Sequence, residues 1–162
     1  MKTASFPYLP RSTASMPPGS FWDIPLENGY YGAGIVLERC PRQRQGHTRM
    51  FLAGLLDWIG KDIPTERDIL STGVAAQGFA HLYAVTKNKG MIRGCIDLSR
   101  TAIKPGIWRD SHVGPDVRLR RGYTDLGPSR AEANWQELPV ASTWGYGVIV
   151  VLARKLYRSR GL

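Results

Sequence analysis

The sequence predicts a mainly β (α+β) fold: a curled antiparallel sheet or small barrel, one short helix and an irregular C-terminal half. Three observations carry this. Asn28-Gly29 sits between two apolar-alternating stretches and is the strongest two-residue hairpin signal, because both central positions of a type I′ turn need positive φ. Residues 48–59 are apolar at nearly every position, the pattern of a strand covered on both faces. Eighteen glycines and eleven prolines among β-branched and aromatic clusters favour short strands and turns over long helices.

Residues 1–18 are rich in Pro, Ser and Thr and lack periodicity, so an extended or disordered arm is expected, with Phe6, Tyr8, Leu9 and Met16 available to strap it down. Residues 19–162 are expected to form one β-rich domain, since no long Pro/Gly/Ser linker interrupts them. A two-residue turn at Asn28-Gly29 sets Leu26 opposite Tyr31, Ile24 opposite Ala33 and Trp22 opposite Ile35, all on one face. The other face then carries Asp23 and Pro25 across from Gly32 and Gly34. Two glycines in a strand imply either a bend or bulge where the sheet curls, or a bare backbone surface against which a partner packs closely.

Pro41 ends the second strand, and residues 38–47 form a basic connection containing Arg39, Arg42 and Arg44. A central third strand follows over 48–59, a short helix being the competing reading. Thr65 and Asp68 have the spacing of a capping box for a short helix that stops at Gly73 in a left-handed conformation. Residues 78–86 and 91–98 read as a second hairpin turning at 87–90, with Gly90 at positive φ and Phe79, His81, Tyr83 and Val85 on one face. On that face His81 is expected as a half-buried structural histidine. Residues 99–142 hold turns at Lys104-Pro105-Gly106, Gly114-Pro115-Asp116 and Gly127-Pro128-Ser129 around a candidate strand over 117–123. Val148 to Leu152 reads as a buried strand by β-branching, and the basic tail 154–160 is expected to fray.

An apolar fraction of 43% and a mean hydropathy of −0.25 suit a globular chain. The net charge is +9, of which +8 falls on residues 87–162. A basic half fits either an acidic partner or a merely solvated face. Cys40 and Cys95 are too few for a disulfide framework, and with His47, His81 and His112 they show no metal-ligand spacing, so no cofactor is expected. The N-terminus has no continuous apolar core of a secretory signal, and the longest apolar run is too short to span a bilayer; a cytoplasmic protein is the expectation.

Nucleophile motifs such as Gly-x-Ser-x-Gly and Cys-x-x-Cys do not occur. Gly32-Ala33-Gly34 does not continue into a phosphate-cradling loop, and Asp57 and Asp62 flank Trp58 without an evident cleft. The chain therefore reads as a binder and not an enzyme. Its candidate partner-binding residues are Trp108, Arg109, Arg118, Arg120, Arg121 and Tyr123. Arginine suits bidentate contacts to carboxylate or phosphate, and Trp, Tyr and Arg are common interface anchors.

Gly19, Ile24, Pro25, Leu26, Gly29, Tyr31, Gly32, Gly34 and Val36, with Phe51 to Trp58 and Pro64-Thr65 downstream, resemble the start of the immunity protein 26 family of bacterial polymorphic toxin systems. The resemblance covers about the first half of the chain. It implies a protein that binds a cognate toxin domain and neutralises it by occlusion, without turnover. The basic C-terminal half would then meet an acidic toxin face. The alternative is a β-barrel module binding RNA or DNA through a basic face. A small hydrolase, the third class, would need a deep pocket gathering His81, Cys95 or Asp57.

Overall fold

The computed structural model describes residues 5–111 and 116–162. His112 and the Gly114-Pro115 turn lie outside them. A six-stranded sheet has the order β5-β1-β2-β3-β4-β9, formed by β1 (Ser20–Pro25), β2 (Tyr31–Arg39), β3 (Met50–Gly60), β4 (Val74–His81), β5 (Ile92–Cys95) and β9 (Thr143–Trp144). A second, three-stranded sheet contains β6 (Ile107–Arg109), β7 (Arg118–Arg121) and β8 (Thr124–Pro128). The helices are α1 (Glu66–Leu70), α2 (Tyr83–Thr86) and α3 (Val148–Ser159). The large sheet is antiparallel except where β9 runs parallel to β4. Its edge strands β5 and β9 do not meet, so the sheet curls without closing and the barrel alternative is set aside.

Both faces of this sheet are covered. Trp22, Ile24, Val36, Phe51, Ala53 and Leu55 enter one core with Met16, Ile149 and Ala153. Phe21, Ala33, Ile35, Leu37, Leu52 and Leu56 enter the other with Ile69, Ile103 and Trp108. Successive side chains of β2 and β3 therefore point into different cores, which is why these strands are apolar throughout. The N-terminal residues contribute too. Tyr8 bridges to Ile92 through backbone hydrogen bonds of 2.9 and 3.1 Å, and Met16 is wholly buried.

The first hairpin forms, one residue out of the expected register. Asn28 and Gly29 both take positive φ, and the Tyr30 N–H donates to the Glu27 carbonyl at 3.1 Å, closing the turn. The next pair is Leu26 with Tyr30 (2.8 Å), so Glu27 is an extra residue on the first arm. Trp22 thus faces Gly34 and Ile24 faces Gly32, while Phe21 faces Ile35 and Asp23 faces Ala33. This accounts for both glycines. A Cβ on Gly34 would stand 2.2 Å from the Trp22 indole, and one on Gly32 would stand 3.3 Å from the Ala153 Cβ of α3. The close-packed neighbours are the protein's own side chain and helix. A register shift of β2 against β3 also falls between Gly32 and Gly34.

Asp23 is 2% exposed and accepts three hydrogen bonds: from Arg93 Nε (2.8 Å), from Arg93 Nη2 (3.2 Å) and from the Met91 N–H (3.0 Å). The pair joins β1 to β5 in side chains as well as backbone.

Helix α1 starts as expected. The Asp68 carboxylate accepts the Thr65 N–H at 2.9 Å, completing the capping box. Gly73 is not left-handed; its carbonyl instead accepts the Asp57 N–H at 2.9 Å. The second hairpin does not form. β4 pairs with β3 and β9, whereas β5 crosses to the far edge beside β1. Residues Tyr83–Thr86 turn helical, so of the four residues expected on one strand face only Phe79 and His81 lie in β4. Lys89, not Gly90, has positive φ; Gly90 is needed because a Cβ there would stand 2.7 Å from the Asp23 carbonyl.

The larger correction is α3. Val148 to Leu152 is the start of a twelve-residue helix, not a strand, and the basic tail continues it to Ser159. Ile149, Ala153 and Tyr157, four apart, are buried while Val151 is exposed. Spacing on one helical face prevails over the β-propensity of the valines because the sheet below needs a cover.

Three outcomes follow. Gly34→Ala is expected to cost about 1–3 kcal/mol by overpacking against Trp22, read as a lower urea midpoint. Asp23→Ala leaves Arg93 and the Met91 N–H without their acceptor and should cost about 3 kcal/mol in the same assay. His81 accepts the Tyr83 N–H on Nδ1 at 3.1 Å, and burial, then the charge of Arg49, hold its pKa below 6.5. The unfolded chain therefore binds this proton more readily, and stability falls as pH drops through 6.5 towards the folded value. His81→Asn, which keeps an acceptor, should remove that part of the pH dependence.

Candidate binding cleft between the two sheets

The two sheets meet along a cleft of about 730 Å³, within the range of ligand sites. One wall is the outer edge of β4, Val74 to Gln77; the other is the turn Lys104-Pro105-Gly106 running into Ile107 and Trp108 of β6. Pro139, Val140 and Ser142 lie between them, with Trp144 and Leu152 completing the apolar lining.

Gln77 ties the walls together. Its side-chain Nε2 donates to the Gly106 carbonyl at 3.2 Å, and its Oε1 accepts the Gly106 N–H at 2.8 Å. Residues 139–144 join both sheets. The Arg109 N–H donates to the Pro139 carbonyl (2.9 Å), the Ala141 N–H donates to the Arg109 carbonyl (2.7 Å), and the Phe79 N–H donates to the Ser142 carbonyl (2.9 Å). Gly78 lets Trp144 lie flat on β4, since a Cβ there would stand 2.2 Å from the indole.

The six residues expected to bind a partner divide between two settings. Trp108 and Arg121 line the cleft. Trp108 is buried, with its Nε1 donating to the Gly122 carbonyl at 3.3 Å and its ring tilted against Phe79. Arg121 is exposed at the rim, as is Lys104, and neither has an ion-pair or side-chain hydrogen-bond partner among the described residues.

The other four shape the small sheet. Arg118 and Asp125 form an exposed ion pair at 2.8 Å, and Arg120 lies opposite Asp125. The Arg118 hydrogen bond, then the Gly127 N–H, hold the Asp125 carboxyl below its ordinary range. Arg109 donates to the Leu138 carbonyl at 2.9 Å and lies over the Trp135 ring. Tyr123 packs on Phe79 and under the Arg44 guanidinium; burial, then Cys40, push its phenol well above the ordinary tyrosine value.

Sequence reasoning missed Gln77, Lys104, Ser142 and Trp144. Lys104-Pro105-Gly106 was legible as a turn, but only the crossing of distant segments brings it opposite β4.

None of His81, Cys95 and Asp57 reaches this cleft. His81 lies with its ring tilted against Tyr83, Cys95 lies in a separate hollow with Glu66, Asp97 and Arg100, and Asp57 pairs with Arg160. The cleft lining contains no carboxylate, histidine or cysteine, and no group of such residues able to hold a metal occurs among the described residues. No helix among them is long and apolar enough to cross a membrane. What the cleft offers is apolar area, main-chain polar groups and two cations at its rim.

Comparison with known proteins yields no matching family model, no matching curated protein and no matching solved structure.

Arg118→Ala should leave the unfolding midpoint essentially unchanged, since the Asp125 pair is open to solvent, while leaving Arg121 in place. A thermal or urea midpoint distinguishes this from a structural role.

Proposed function

We propose that this protein is an immunity protein, one that binds a cognate toxin domain and blocks it by occlusion. The single observation that carries the reading is a preformed, cation-rimmed cleft on a sheet packed from both sides. Its lining holds no carboxylate, histidine or cysteine. The resemblance over about the first half of the chain, at residues 19–36, 51–58 and 64–65, supports the same reading.

The contact surface in this reading centres on Arg121 and Lys104. Arg118 has its charge partly answered by Asp125, and Arg109 is held to the chain behind it. An acidic toxin face would complement the free cations, speeding association and losing that advantage as salt rises.

Nucleic-acid binding through a basic face is the weaker reading. Single-strand binders need aromatic rings free to stack on bases. Around the small sheet, where the basic face was expected, Trp108 is buried, Tyr123 is covered by Phe79 and Arg44, and Trp135 has Arg109 over its ring.

The test is co-purification with the C-terminal domain of the protein encoded immediately upstream. Stable association that inhibits the domain's toxicity is expected, with an association rate that drops as salt is raised from low to physiological. Steep log–log salt weakening against generic single-stranded nucleic acid, with no toxin association, would reverse the choice between the two readings.

A further inference from the structure

We propose that the cleft takes an extended acidic peptide segment, which adds as a strand along the exposed edge of β4. This rests on the reading of the chain as an occluding binder and names the kind of element its partner inserts.

The outer edge of β4 is incompletely paired. β4 is eight residues long, yet β9 pairs with only Phe79 and Ala80. Val74 to Gly78 have β3 on one side and no strand on the other among the described residues. The Phe79 N–H points outward, to the Ser142 carbonyl. Main-chain direction repeats every second residue, so the N–H and C=O of Gln77 point outward too, into the cleft. The register shift at Leu55/Leu56 places a bulge at Ala75, which turns the strand end and limits the open edge to its middle.

The facing wall has the same property. Arg109 of β6 exchanges hydrogen bonds with Pro139 and Ala141 on the side away from β7. Ile107, two residues earlier, turns its N–H and C=O to that same side, where the cleft lies. An unpaired strand edge is a template for another chain, and here two such edges border one groove.

The surroundings choose the occupant. Backbone groups recognise an extended peptide, while pockets beside them take alternate side chains. Trp144, Val140 and Leu152 give apolar ground for one set of side chains. Lys104 and Arg121 at the rim give unanswered positive charge for the other set. The matching segment alternates apolar residues with Asp or Glu.

The test uses the full-length protein and the probe peptide acetyl-Val-Glu-Val-Glu-Val-Glu-amide. Tryptophan fluorescence reads binding through Trp144 and Trp108, and amide hydrogen exchange reads Gln77 and Ile107. Expected are saturable binding, slowed exchange at either amide, loss of binding when alternate peptide nitrogens are methylated, and about tenfold weaker binding for Lys104→Glu combined with Arg121→Glu. No binding, binding indifferent to methylation, or equal binding of the Val-Lys counterpart or of a short single-stranded oligonucleotide would each overturn the proposal. The two readings separate cleanly. A toxin domain that associates while the peptide does not leaves occlusion standing and removes strand addition. A peptide that binds as described, with no toxin association, does the reverse.

Discussion

The structure depends on one constraint: β2 and β3 must be kept from water on both faces. Their side chains alternate between two cores, and neither set can be exposed without stripping several fully buried aliphatic and aromatic groups, each contributing roughly 1.5–3 kcal/mol. A sheet wet on one side would not satisfy this sequence. Something has to lie above it and something below.

The C-terminal half supplies most of both covers, with α1 added from the first half. Helix α3 lies on one side, brought close by the bare backbone of Gly32 against Ala153. On the other side lie α1, through Ile69, and the small sheet, through Trp108. These covers are joined by residues 139–144, which pair with β6 and then with β4 before the chain enters α3. The cleft follows from this route. The connecting segment is too short to pair with the whole of β4, so part of that edge and part of β6 border a gap. The site is thus a by-product of how two covers are linked.

Much of the central sheet was legible because its signals are local. Asn28-Gly29 dictates a turn, Thr65 and Asp68 dictate a helix start, and the unbroken apolar run at 50–56 dictates a buried central strand. The half-buried His81 was also legible. The exact pairing was not. Glu27 enters the turn as an extra residue, and no composition rule distinguishes this from the two-residue form. The failed second hairpin has a related cause: residues 87–90 look like a turn between strands, but β5 lies at one edge of the sheet and β4 is separated from it by β1, β2 and β3.

From the residues alone came the β class, the first turn, the capped helix, the doubly apolar middle strand and a positive charge concentrated late in the chain. These depend on steric preference, short-range hydrogen bonding and side-chain periodicity, which act over a few residues. Only the folded chain decided that Val148 begins a helix, that Trp22 lies on Gly34, and that Gln77 meets Gly106 across the cleft. Each is a choice among locally acceptable options, settled by the need to cover an apolar surface contributed by residues far away in the chain.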